Sequence, residues 1–158
     1  MKKLILVTAL GFIGLLTAPV QAATTSGTFN VNINVTAVCK LGTITPLAFA
    51  YTSLQTTAAT ATGGNFTLQC TNGLPAPSLG LTLGSAAGPG TASVNTTDDK
   101  VSLDYTVTVP TVAAPNGSAV AYTIGGTMAA NQGGTCASSA SCDNAAATNK
   151  SYTLYVTY

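Results

Sequence analysis

The sequence predicts an all-β fold, a sandwich of short strands, and three features of the chain carry that prediction. Apolar and polar side chains alternate with period two in several windows, Gly, Pro and Asn cluster between those windows, and no helical period emerges beyond residue 22. The clearest window is Gly27 to Cys39. Phe29, Val31, Ile33, Val35, Ala37 and Cys39 fall on one face, with Thr28, Asn30, Asn32, Asn34 and Thr36 opposite, and only Val38 breaks the pattern. A helix would place Val31 and Val35 together and leave Ile33 elsewhere, so the spacing predicts a strand over Gly27 to Cys39.

Residues 1–22 precede it with Lys2 and Lys3, an apolar run from Leu4 to Leu16, and small residues at Val20 and Ala22. This is the pattern of a secretory signal peptide cut after Ala22, its apolar run being shorter than the roughly 20 residues a membrane span needs. No later stretch is long and apolar enough to span, so the mature chain is expected to have no membrane span and to form one domain.

After Cys39, further strands are expected in order. Thr43 to Tyr51 sets Leu47, Phe49 and Tyr51 in phase behind Pro46, and Asn65 to Cys70 does the same with Phe66, Leu68 and Cys70. A loop carrying Asn72, Gly73, Pro75 and Pro77 leads to Ser78 to Leu83, with Leu79, Leu81 and Leu83 inward and Gly80 outward. Ser85 to Asp99 reads as turn material. Lys100 to Val109 alternates through Val101, Leu103, Tyr105, Val107 and Val109 and stops at Pro110. Asn116 and Gly117 predict a hairpin turn returning along Ala119 to Ile124, and Gly125 to Asn149 is mostly small and polar. The last eight residues place Tyr152, Leu154, Val156 and Tyr158 on one face.

The chain after residue 22 carries Lys40, Lys100 and Lys150 against Asp98, Asp99, Asp104 and Asp143, with no Arg, Glu, His or Trp. Isolated charges of this kind exclude a nucleic-acid footprint, and low charge suits self-association. Four cysteines allow three pairings. Proximity favours Cys136 with Cys142 and leaves Cys39 with Cys70. With neither a C-x-x-C pair nor a histidine, the cysteines read as structural disulfides made in an oxidising compartment, not as a redox or zinc centre. The absence of His and Glu argues against an enzyme, so no catalytic, cofactor-binding or metal-binding residue is assigned. Asp98, Asp99 and Asp104 lack calcium-loop spacing and suit turns, and the Asn-x-Ser/Thr triplets at Asn34, Asn65, Asn95, Asn116 and Asn149 arise by chance in so Asn- and Thr-rich a chain.

Taken together, the alternating segment into Cys39, the Gly-Gly-Asn-Phe-Thr-Leu-Gln-Cys run from Gly63 to Cys70, and Tyr152 to Tyr158 make the chain resemble the spore coat protein U domain family, subunits of archaic chaperone-usher pili. The resemblance implies an incomplete immunoglobulin-like β-sandwich lacking its last strand, with residues 23–38 as an amino-terminal donor segment and 39–158 as the pilin domain. It implies donor residues Phe29, Val31, Ile33 and Val35, and a terminal strand whose Tyr152, Leu154, Val156 and Tyr158 border a groove. The implied partners are a periplasmic pilus chaperone, an outer-membrane usher, and other copies of the chain or related pilins. The subunit would then pass through the periplasm to a surface pilus serving adhesion and biofilm formation. At about 1.5–3 kcal/mol per buried side chain, four donor residues would contribute roughly 6–12 kcal/mol before entropy costs, comparable to the roughly 5–15 kcal/mol stability of a whole domain. The alternative from the same sequence is a self-contained secreted sandwich, either a binding module or a coat protein, whose first strand closes its own sheet.

Overall fold

The computed structural model describes residues 23–84, 88–137, 141–144 and 150–158. The segment 1–22, which the sequence reads as a signal peptide, lies outside them, as do residues 85–87, 138–140 and 145–149. The chain divides into two units, Met1–Asn34 and Val35–Tyr158. The second unit is all-β, with alternating strands gathered about one apolar core, as the sequence predicts.

Three antiparallel strands form the first sheet: β1 (Cys39–Leu41), β5 (Asn65–Cys70) and β9 (Val120–Thr123), with β5 in the middle. β5 alternates outward Asn65, Thr67 and Gln69 with buried Phe66, Leu68 and Cys70, so its inner face is wholly apolar. Cys39 stands opposite Cys70 in the ladder and is joined to it by a disulfide. A short pair of β2 (Leu47–Ala48) and β4 (Thr62–Gly63) continues this layer, because the chain after Leu41 keeps bonding to the β5 segment: Gly42 N donates to Thr67 O and Thr45 N to Asn65 O.

Four strands form the second sheet, in the order β3 (Ala59–Thr60), β10 (Gly125–Met128), β8 (Asp104–Thr108) and β7 (Ser93–Thr97). β6 (Ser78–Leu83) and β11 (Tyr152–Thr157) form an antiparallel pair over six positions, and the Leu81–Thr91 bridge links β6 to the segment entering β7. Gly80 permits that link: a Cβ there would lie 1.8 Å from the Pro89 carbonyl oxygen.

The structure departs from the sequence reading at several places. Residues 27–38 carry no strand, although their alternation predicts one: Val38 bonds to Thr71 just ahead of β1, and no strand pairs with residues 27–37 among the described residues. Ser85 to Asp99 is more than turn, since it contains β7, and β10 lies in the stretch read as small and polar. The turn at Asn116 and Gly117 does not make a hairpin of β8 and β9; β9 pairs with β5, and β8 lies between β10 and β7. In β6 the covered residues are Gly80 and Leu81, while Leu83 is exposed. Both expected disulfides, Cys39–Cys70 and Cys136–Cys142, are present.

Asp98 closes the turn ahead of β8. Its side chain is buried, with Oδ1 accepting from the amides of Lys100 and Val101 and Oδ2 from Asn144 Nδ2 at 2.8 Å. Burial pushes this carboxyl up, but the Asn144 bond, the two amides and the Lys150 charge outweigh it and hold the group below its ordinary value. The aspartate thus serves a turn, as expected. Asn65, Asn95 and Asn116 likewise spend their carbonyl oxygens on Thr123, Thr106 and Ser118, the last bond closing a local turn.

Candidate functional site

An apolar side chain left in water forfeits its transfer free energy, so clustered exposed apolar groups and openings into the core mark surfaces that expect company. The second unit has such an opening. A groove of about 1150 Å³ reaches the core, walled by the segment around Leu47 and Phe49 on one flank and by Tyr152 and Leu154 of β11 on the other. Leu81, Tyr105, Val107, Ile124 and Met128 supply its apolar floor. Each strand along the flanks has a single ladder neighbour among the described residues, β4 for β2 and β6 for β11.

Local sequence explains why these side chains meet. β11 alternates so that Tyr152, Leu154 and Val156 stand opposite Leu83, Leu81 and Leu79, which aligns two apolar rows across one pair of strands. Phe49 packs its ring 5.5 Å from that of Tyr105, and Tyr105 meets Tyr152 edge-on at 6.4 Å, so three aromatic rings run from one flank to the other. On β10, Gly126 leaves room for this: a Cβ there would sit 2.7 Å from Phe49 Cζ and 3.0 Å from Ala61 Cβ.

One end of the groove is polar. Asp98, Asp143, Asn144 and Lys150 line it together with the Cys136–Cys142 disulfide. Lys150 forms an ion pair with Asp99, and that hydrogen bond raises the lysine above its ordinary value. The Tyr152 hydroxyl is buried without a hydrogen-bond partner among the described residues, and burial, with a further contribution from Tyr105, pushes the phenol well above its ordinary range.

The sequence-derived residues distribute as follows. Tyr152 and Leu154 line the groove, Val156 packs against the core, and Tyr158 lies beyond the end of β11, half exposed. Phe29, Val31, Ile33 and Val35 are 85%, 70%, 82% and 72% exposed, four apolar side chains at alternate positions. Leu47, Phe49, Leu81 and Met128 belong to the site without having been assigned to it by sequence. The in-phase trio Leu47, Phe49 and Tyr51 was visible, but nothing local places it across a groove from Leu154.

Comparison with protein-family models, with curated proteins and with solved structures finds no match for this chain. Among the described residues no helix is long and apolar enough to cross a membrane, and no cluster of His, Cys, Asp or Glu could hold a metal ion.

Proposed function

We propose that the chain is a structural subunit of a chaperone-usher pilus of the spore coat protein U type, polymerising by donor-strand complementation. The second unit is then an incomplete immunoglobulin-like sandwich, and its missing strand is the amino-terminal segment of another copy. One observation carries the reading: a large groove with an apolar floor, flanked by β2 and β11, occurs in the same chain as four exposed apolar residues at strand spacing. Strand addition satisfies both needs, since the backbone bonds to a sheet edge while alternate side chains enter the groove.

In this reading a periplasmic chaperone covers the groove before assembly, an outer-membrane usher mediates exchange, and the fibre acts in adhesion and biofilm formation at the cell surface. The test is size analysis of the full chain made in a bacterial periplasm with and without a pilus-type chaperone, followed by gels of samples heated to different degrees. Ladders that melt only on strong heating, with loss of the subunit when the chaperone is omitted, are expected. A folded monomer indifferent to the chaperone would overturn the proposal in favour of a self-contained binding or coat module.

A further inference from the structure

The sequence contains Asn-Gly twice, at Asn72–Gly73 and Asn116–Gly117, and the fold sets the two turns against each other. Both glycines have positive φ, 84° and 86°, and a Cβ added at Gly117 would lie 3.6 Å from Asn72 Cβ. Both asparagines are exposed, but they differ in how the side chain is held. Asn116 Oδ1 accepts from the Ser118 amide at 3.0 Å, whereas Asn72 makes no such bond among the described residues. The Asn116 turn is also tied to β5, because Gln69 Nε2 donates to the Gly117 carbonyl at 2.8 Å. The Gly117 amide has no acceptor among the described residues.

We propose that the Asn116–Gly117 turn is a self-modifying site, at which the asparagine converts to aspartate and isoaspartate without an enzyme. The Gly117 nitrogen gives its proton to water or hydroxide and attacks Asn116 Cγ. An N–Cγ bond forms, the Cγ–Nδ2 bond breaks, and Nδ2 leaves as ammonia with a proton taken from water, which closes a succinimide ring. Water then adds to either ring carbonyl. Opening at the new bond gives aspartate, and opening at the original peptide bond gives isoaspartate. The net change consumes one water and releases one ammonia, with nothing oxidised or reduced.

The turn favours this reaction in three ways. Gly117 has no Cβ to obstruct the approach of its nitrogen to Cγ, and its amide proton is not committed to an acceptor. The Ser118 bond draws electron density from the side-chain carbonyl, stabilises the charge that gathers on Oδ1 as the nitrogen adds, and holds the side chain over its own turn. Asn72 shares the glycine and lacks that bond. An ordinary net hydrogen bond corresponds to about two- to tenfold in rate, so Asn116 should react faster than Asn72 by that factor. Asn116 lies with Leu68, Val112, Val120 and Tyr122 around a small, largely apolar cavity of about 150 Å³. The reaction places a carboxylate at its rim, and isoaspartate lengthens the backbone just before the residue that Gln69 holds. In a chain with so few charges, each molecule would gain one with age.

The experiment does not depend on the donor-strand reading. The purified full chain, disulfides intact, is incubated at neutral and at mildly alkaline pH, with parallel samples in urea, where the Ser118 bond is absent. Peptide mapping by mass spectrometry quantifies succinimide, aspartate and isoaspartate at each asparagine, and released ammonia is assayed. In the native chain Asn116 should lead Asn72 by about two- to tenfold, and in urea the two should approach parity. Both rates should rise with pH, since the attacking nitrogen must first lose its proton. Asn116→Gln, whose longer side chain would have to close a larger ring, should give no product there and leave Asn72 unchanged. A native chain in which Asn116 reacts no faster than Asn72, or a ratio that urea leaves unchanged, overturns the inference.

Discussion

Leu154 of β11 stands directly opposite Leu81 of β6, and both line the groove, although Leu81 is only 1% exposed. The same contact therefore belongs to the core and to the opening. Leu81→Ala should destabilise the unit by about 2–5 kcal/mol, the usual range for a buried leucine. Denaturant titrations of the purified protein measure it.

Under the proposed donor-strand assembly, charge on the exposed apolar row should act on assembly alone. Ile33→Asp or Val35→Asp alters a side chain that is 82% or 72% exposed, so the circular dichroism of the chaperone-bound subunit should match the parent. Heat-resistant ladders should disappear. Variants that still form ladders would show that this row does not enter the groove.

Gly80→Ala should be among the most damaging small substitutions in the chain. The added methyl would meet the Pro89 carbonyl oxygen at 1.8 Å and the Gly90 carbonyl carbon at 3.0 Å, both backbone atoms with little room to yield. A cost of about 1–3 kcal/mol is expected, typical of overpacking. Loss of the Leu81–Thr91 bridge should appear as faster amide exchange at both residues.

Acid should weaken the fold through Asp98. Its folded-state carboxyl lies below the ordinary value, so its stabilising effect is present above the unfolded value near pH 4 and is lost as pH falls through the folded one. Asp98→Ala should cost about 1–3 kcal/mol at neutral pH, because the amides of Lys100 and Val101 lose their acceptor. The variant should also show a flatter stability profile below pH 4 in urea titrations.

Alkali should weaken it through Tyr152. A phenol raised in the folded state stays protonated there while the unfolded chain begins to ionise near pH 10, so stability falls as pH climbs past about 10. Tyr152→Phe should remove that part of the decline and leave neutral stability unchanged or slightly improved, since the hydroxyl it deletes has no partner among the described residues. Thermal melts at pH 7 and above pH 10 distinguish these effects.

Strands with one apolar face were legible in the sequence. β5 and β6 occupy the predicted Asn65 to Cys70 and Ser78 to Leu83, and β11 fills most of the predicted Tyr152 to Tyr158. β7 was not legible because Val94 is its single apolar residue. β10 was hidden for a different reason: Gly125 and Gly126 open a stretch read as small and polar, whereas Gly126 is small because Phe49 presses against that position. The groove was half visible. Tyr152 and Leu154 followed from alternation, but they join Leu47 and Phe49 around one groove only through Tyr105, whose ring meets Phe49 and Tyr152 from about fifty residues away on either side, which no local pattern encodes. Residues 27–38 show the converse, since periodicity reveals a face prepared for burial and does not name the sheet that will bury it.

The Cys39–Cys70 disulfide has a mechanical meaning in a fibre built this way. Tension along the shaft would enter each subunit through Val38 and arrive next at a strand of three residues, whose few ladder bonds would unzip readily under load. The covalent link carries the pull past β1 into β5, the central strand of its sheet, so the force is shared by a ladder on either side. Reduction of that bond should lower the force at which a single fibre extends.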